Sequence, residues 1–215
     1  MKRSLAAQGF AAVGAVLIGA GATGCASLFG GGSPPPTFLV WRDPGQAVPA
    51  AQRSPRTLLV APSDTAAFYD TQRIAFSRES GTRGQYQLAA WTDRPGKRFD
   101  VLLVERLDRR NAFAQVGATT SGVRGDLMLA TAILELYHDD VQSPGVARLR
   151  IAAEITDRVN RTLLARRTFV AEAPVELPNA QSALAGFDLA LARLLDELLP
   201  WLEGEAAKVG PRQGS

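Results

Sequence analysis

The sequence predicts an α+β domain, a mostly antiparallel sheet of about seven or eight strands with two amphipathic helices packed on one face. Three observations carry this. Eight short runs have strand patterning and are mostly separated by Gly, Pro or Asn turns. Two segments repeat apolar residues at helical spacing. At 215 residues and 46% hydrophobic, the chain can build one real core with appendages around it.

The elements follow in order. Thr37-Phe38-Leu39-Val40-Trp41 reads as a first short strand. Residues 42–56 hold Pro44, Gly45, Pro49 and Pro55, which predicts a connecting loop. Thr57-Leu58-Leu59-Val60-Ala61 is a nearly continuous apolar strand stopped by Pro62. Gln72–Ser77 and Gln85–Trp91 flank Gly81 and Gly84 and form a predicted hairpin. Asp93 is the expected N-cap of a helix with Pro95 in its first turn. Phe99, Leu102, Leu103 and Leu107 make its apolar stripe, with Asp100, Glu105, Arg109 and Arg110 on the wetter side.

Phe113–Val116 is a short strand, and three long ones follow. In Asp126–His138, Met128, Ala130, Ala132, Leu134 and Leu136 face one way, and Leu127, Leu129, Thr131, Ile133, Glu135 and Tyr137 the other. In Ala147–Thr156, Leu149, Ile151, Ala153 and Ile155 alternate with polar or small residues, a one-sided pattern. Thr162–Glu172 follows a turn containing Asn160. A final helix runs from about Asn179 to Leu202, striped by Leu184, Phe187, Leu191, Leu194, Leu195, Leu198 and Leu202. Its stripe is broad enough to offer a contact to a second copy of the chain. Pro200 is expected to kink or end it.

Charge excludes one broad class. The chain has 24 Lys+Arg against 21 Asp+Glu. Lys2 and Arg3 lie in a stretch, residues 1–24, that contains no acid, so 22 bases face 21 acids in the remainder. Those bases are spread from Arg42 to Arg212 with acids between them. A nucleic-acid partner would require a clustered positive surface, so none is expected. One Cys and one His exclude a disulfide framework, a cysteine-rich zinc site and any scheme using two imidazoles. No metal site and no catalytic residue is expected.

The amino terminus has the features of an export leader over residues 1–24. Met1-Lys2-Arg3 is a positive start, and residues 10–22 form an uncharged run too short and too Gly/Ala-rich to span a bilayer. The run ends at Ala22-Thr23-Gly24-Cys25, which resembles a bacterial lipobox, with Ala22 where Leu is usual. Cleavage there would leave Cys25, whose thiolate is a strong nucleophile for alkylation, as the lipidated first residue. A diacylglycerol and an N-acyl chain on Cys25 would anchor the protein stably. Ala26 stands where an Asp would favour inner-membrane retention, so the outer membrane is the expected destination. Residues 25–36 contain Gly30-Gly31-Gly32 and Pro34-Pro35-Pro36 and read as a tether. The folded domain is expected over 37–202 and a disordered tail over 203–215.

In order and spacing these features resemble the ABC-type transport auxiliary lipoproteins. That family comprises the outer-membrane components, of the paraquat-inducible C type, of MCE (mammalian cell entry) lipid-transport systems. The carrying residues are Cys25, the Thr37-Phe38-Leu39 strand where the family usually has Tyr-x-Leu, and Leu58-Leu59-Val60-Ala61-Pro62. Tyr69-Asp70-Thr71-Gln72-Arg73-Ile74-Ala75-Phe76 matches the family's Tyr-Asp-x-x-x-Ile segment and the aromatic strand after it. Trp91 before a Pro-started helix, Phe113-Ala114-Gln115-Val116 after it, and a Leu-rich helix ending near Trp201 complete the match.

The resemblance implies a periplasm-facing, noncatalytic domain, lipid-anchored in the outer membrane of a Gram-negative bacterium. It would dock on an MCE-domain protein through which phospholipid passes, and would carry no cofactor beyond its acyl chains. ATP hydrolysis would belong to a separate inner-membrane complex, consistent with the lack of a Gly-x-x-x-x-Gly-Lys-Ser/Thr loop. Tyr69, Asp70 and Arg73 are the residues it suggests for partner binding. The same three also fit a local arrangement, with Tyr69 on the sheet and an Asp70–Arg73 ion pair.

A second function class is a stand-alone periplasmic lipoprotein that binds or hydrolyses a small apolar ligand. Its chemistry would centre on His138-Asp139-Asp140. No Gly-x-Ser-x-Gly elbow accompanies that cluster, so a polar turn is the expected reading.

Overall fold

The computed structural model describes residues 34–209, and the folded body is the compact unit from Pro35 onward. The leader, Cys25, most of the tether and the last six residues of the tail lie outside the described residues.

Among the described residues the body contains nine strands, two α-helices and one 3-10 turn at Thr119–Ser121. The strands are β1 (Thr37–Leu39), β2 (Ser54–Val60), β3 (Asp64–Thr65), β4 (Arg73–Ser77), β5 (Gly84–Trp91), β6 (Phe113–Ala118), β7 (Leu127–Asp139), β8 (Gly145–Asp157) and β9 (Thr162–Val175). The helices are α1 (Pro95–Arg110), between β5 and β6, and α2 (Ala180–Ala207) after β9.

β7 organises the sheet. Along one edge it meets three short strands in succession, all parallel to it: β2 at Leu127–Leu129, β3 at Ala132–Ile133 and β4 at His138–Asp139. Its other edge pairs antiparallel with β8, and β8 with β9. β6 lies parallel outside β2, β5 antiparallel outside β4, and β1 parallel outside β5. The sheet is therefore mixed, not mostly antiparallel. Tight turns do give the β4–β5 and β7–β8–β9 hairpins. The α1 crossover, however, brings β6 back parallel to β2, and the chain lays β2, β3 and β4 in line along a single edge.

One face of β8 is buried along its whole length, whereas β9 alternates buried and exposed only from Phe169 to Val175, its first half, Leu163 included, having no buried residue. Leu149, Ile151 and Ile155 of β8 and Phe169 of β9 share one core with Leu127, Leu129 and Ile133. α2 adds Phe187, Leu191, Leu194, Leu195, Leu198 and Leu202, and α1 adds Phe99, Leu103 and Leu107. Gly186 lets α2 sit close on the sheet, since a Cβ there would lie 2.8 Å from Ala147 Cβ and 2.9 Å from Val175 Cγ2.

β7 departs from simple alternation. Between Ile133 and Glu135 its register to β8 shifts, leaving Leu134 as the extra residue of a bulge. Beyond it the faces exchange. Leu136 and His138 join Leu127 and Ile133 on the core side, opposite Leu149 and Ala147, while Glu135, Tyr137 and Asp139 turn to the other face.

Three expectations at the helix ends are corrected. Arg94, not Asp93, is the N-cap of α1, extended at φ −61° and ψ 140° without a side-chain cap. Pro95 disfavours helical geometry in the residue before it, and Asp93 instead pairs with Lys97 at 3.6 Å. Pro200 does not end α2, which continues to Ala207. Pro200 lies on the exposed side, and buried Leu202 and Ala206 hold the last turns against the core. The tail expected from 203 thus begins as helix.

Candidate functional site

The Tyr69–Arg73 segment is the detour between β3 and β4. Ala66 N–H still donates to Ile133 O (2.9 Å), then the chain turns, with Tyr69 N–H on Ala66 O at 2.7 Å. Its three predicted site residues diverge. Tyr69 is buried, edge-on to Phe68 at 5.5 Å, and its hydroxyl accepts from Arg83 Nε at 3.2 Å. Asp70 pairs with Arg94 at 3.1 Å, not with Arg73. Both side chains are largely in solvent, so the pair adds little stability. Arg73 lies on β4 opposite Ala90 and donates to Gln87 O at 3.3 Å. What the segment presents outward is the Asp70–Arg94 pair, Arg73 and a half-exposed Phe68.

Tyr69 leads to a second set of residues, of which the sequence points only to Asp139, and there as a neighbour of His138. Arg83, held at Nε by Tyr69, lies over the Tyr137 ring with its guanidinium carbon 3.6 Å from the centroid. The Tyr137 hydroxyl donates to Asp139 Oδ2 at 3.3 Å. Arg148 Nη2 lies 3.6 Å from Asp139 Oδ2 and 3.0 Å from Glu172 Oε1. Arg83, Tyr137, Asp139 and Arg148 line a cleft of about 460 Å³ between the β4–β5 hairpin and the β7–β8 turn, which contains the cis Ser143–Pro144 bond. Burial raises the Tyr137 phenol above its ordinary pKa, against the pull of Arg148 and Arg83, so it remains a neutral donor. The bulge at Leu134 places Tyr137 and Asp139 here. A bulge cannot be read from composition, although carboxylates recurring on an otherwise apolar face are a signal for one.

His138 is not in a polar turn. It is a wholly buried residue of β7, with Nδ1 2.8 Å from the Tyr86 hydroxyl. Its Nε2 has no hydrogen-bond partner among the described residues; Asp140 Oδ1 is 4.0 Å away. Gly145 packs against that nitrogen, and a Cβ there would approach it to 2.6 Å. Burial lowers the imidazole pKa, opposed by Asp140 and Asp139, and pushes the Tyr86 phenol up to about 12 with Asp140 adding to the effect. Among the described residues no serine is hydrogen-bonded to the ring, and the Tyr86–His138 pair ties β5 to the core side of β7. Among the described residues no three His, Cys, Asp or Glu side chains are grouped to hold a metal.

A further cluster fastens the 42–50 loop. Arg106 of α1, only 2% exposed, makes a two-nitrogen contact with Asp43, itself 1% exposed, and reaches Asp196 of α2 at 2.7 Å. Nearby, Trp41 donates its indole N–H to Phe187 O at 3.2 Å and packs against Trp91 at 6.0 Å. These contacts join the first strand and loop to both helices. Trp91 is thus a core anchor, and Trp201 sits edge-on to Phe169 at 5.4 Å.

Comparison with known proteins places this geometry among relatives. The family model described as ABC-type transport auxiliary lipoprotein component matches residues 40–198. A crystallised Xanthomonas campestris protein assigned to the DUF330 family shares 22% identity with a TM-score of 0.73, covering 80% of this chain and 98% of its own. An uncharacterized protein shares 10% identity with a TM-score of 0.61, covering 77% and 99%. A hypothetical protein of Chlamydia trachomatis shares 12% identity with a TM-score of 0.51, covering 73% and 100%. At these identities the solved structures share the fold alone. No curated protein matches the chain.

Proposed function

The chain belongs to the family of ABC-type transport auxiliary lipoprotein components, and we propose that it is the noncatalytic, outer-membrane-anchored subunit of an MCE-type intermembrane phospholipid transport system. The observation that carries this reading is the family match, which runs from the end of β1 into the last turns of α2. Membership makes the protein an auxiliary lipoprotein of a transporter. The outer-membrane site and the MCE partner are the finer steps proposed here.

Cys25, after an apolar leader and followed by Ala26, supplies the anchor, and the tether lets the domain stand off the bilayer. The domain contributes a docking surface rather than chemistry. Its one imidazole is enclosed against Tyr86, and ATP turnover is left to the transporter's own nucleotide-binding subunits. The exposed side of the Ala66–Arg73 segment is the partner face. Asp70 and Arg73 are its polar contacts, and Tyr69 acts from beneath as a positioning residue.

The test is a pull-down from crosslinked membranes with the wild type and Cys25→Ser. Recovery of an MCE-domain protein with the wild type and its loss with Cys25→Ser is the expected result. An identical partner-free outcome for both forms would overturn the assignment. Combining Asp70→Arg with Arg73→Glu in the anchored protein tests the face, and undiminished recovery would remove it.

A further inference from the structure

We propose that the outer edge of β1 is a strand-addition site, on which an extended apolar segment of the transport partner docks. The proposal rests on the partner reading above and specifies how the partner is held. Its first ground is an open backbone edge. β1 pairs on one side only, parallel to β5. Along a strand, alternate residues turn their N–H and C=O to opposite sides. Leu39 O accepts from Thr92 N–H at 3.0 Å, so Thr37 and Leu39 face β5 while Phe38 and Val40 turn their backbone groups outward. Among the described residues these outward groups have no hydrogen-bond partner. Pro34-Pro35-Pro36, without N–H groups, closes the open stretch at one end. Arg42 N–H, held by Asp188 at 2.9 Å, closes it at the other.

The side chains along this edge supply the second ground. Phe38 is 58% exposed and Val40 37%. Phe38 lies opposite Ala90 of β5, and Leu88, two residues earlier on the same face, is 55% exposed. Beside α2, Leu39, Val40, Leu184 and Ala185 line a groove of about 380 Å³ together with Gln181 and Asp188. An added strand would therefore meet apolar contacts on both of its faces, with main-chain bonds giving affinity and alternate side chains giving specificity.

The occupant follows from what surrounds the edge. The other long edges of the sheet are guarded: Arg53 holds Phe113 O and Ala114 O on β6, and β9 carries Arg166, Arg167 and Pro174, with Arg193 on Glu172 O. A second copy thus offers only its own three-residue β1. A bilayer would leave the Phe38 and Val40 backbone groups unpaired in hydrocarbon. A partner strand satisfies them, and the site continues the face assigned to the partner. Arg73 of β4 and Phe38 of β1 both stand opposite Ala90, so the three form one row across the sheet.

The test repeats the membrane pull-down on the full chain with Val40→Pro and Val40→Ala. Proline deletes an outward N–H that the β1–β5 ladder does not use, and alanine keeps it. Recovery of the MCE-domain partner should fall about 10-fold or more with Val40→Pro and no more than about 3-fold with Val40→Ala. Residue-resolved hydrogen exchange on the wild type keeps the test valid if Val40→Pro loses stability. The Phe38 and Val40 amides should exchange rapidly in the free chain and become protected in the recovered complex, while Leu39 is protected in both. Full recovery with Val40→Pro, or unprotected Phe38 and Val40 amides in the complex, overturns the proposal. So does a benzophenone side chain placed at position 38 that crosslinks to lipid or to a second copy instead of to the partner. Either result leaves the partner reading standing if the wild type still recovers the partner. Failure of the wild type to recover it removes that reading and strand addition with it.

Discussion

Replacing Arg106 with Met should destabilise the domain severely, although the substitution is apolar, similar in length and far from the cleft. The reason is what it leaves behind. Asp43 is 1% exposed and takes two guanidinium contacts from Arg106. Its remaining partners are the exposed Arg109 at 3.2 Å and its own loop's Gly45 N–H at 3.0 Å. Removing one member of a buried pair typically costs about 3–5 kcal/mol, because the surviving charge is stranded out of water. For a domain of this size each kcal/mol moves Tm by about 2–4 °C, so a fall of roughly 6–20 °C is expected.

The partner experiment decides the cause. Asp43→Leu combined with Arg106→Met removes both charges, and such replacements are often neutral or stabilising. The double variant should recover most of the loss, measured by thermal unfolding and by urea midpoint in circular dichroism. A single-variant Tm within 3 °C of wild type would refute the reasoning. So would a double variant whose loss equals the sum of the two singles, since that would assign the effect to packing alone. Gly45 offers a check on space, because a Cβ there would overlap the Arg106 guanidinium.

Two further expectations concern pH. Burial pushes the Asp188 carboxyl up to about 6, opposed by the Arg42 amide that donates to it at 2.9 Å. The folded state then binds a proton that the unfolded state releases near pH 4, so this group's contribution to stability falls as pH rises from about 4 to 6. Asp188→Asn should therefore be more stable than wild type at pH 7.5, with the Tm difference shrinking toward pH 5; a constant difference would count against it. His138 has the opposite sign. Its pKa is lowered by burial, so stability is lost as pH falls from about 6.5 through the folded value. His138→Gln should flatten that acid limb relative to wild type, and parallel curves from pH 7 to 5 would show that the imidazole is not the responsible group.

How much of this was legible follows from where the information lies. α1, α2, β7, β8 and β9 could be read because their periodicity is local: Leu149, Ile151, Ala153 and Ile155 announce a one-sided strand without reference to any partner. The pairing of β2, β3 and β4 along one edge of β7 could not, because ladder partners are distant in sequence, and the two-residue β3 is too short to leave any pattern, so the sequence does not foresee it as a strand at all. Arg106 was legible in principle. It stands four residues after Leu102 and three after Leu103, on the apolar stripe of α1, and a cation there requires a buried anion. The identity of that anion, Asp43 across the prolines of the 42–50 loop, is tertiary information. The cleft was least legible, since Arg83 is an ordinary hairpin arginine until Tyr69 and Tyr137 converge on it.

The bulge at Leu134 connects the core to that cleft. Unbroken alternation along β7 would continue the buried series Leu127, Leu129, Thr131 and Ile133 through Glu135, Tyr137 and Asp139, forcing two carboxylates into the core. That arrangement would strand unpaired charge in low dielectric, at a cost no ladder hydrogen bond offsets. One extra residue exchanges the faces. Leu136 then packs inside opposite Leu149, His138 is enclosed with Tyr86, and Glu135 meets Arg150 at 3.4 Å on the outer face. The same shift turns Tyr137 outward to become the platform for Arg83, and sets Asp139 beside Arg148. The polar cleft is thus the consequence of keeping acids out of the core, and a register choice made for stability is what assembles two arginines around one aromatic ring.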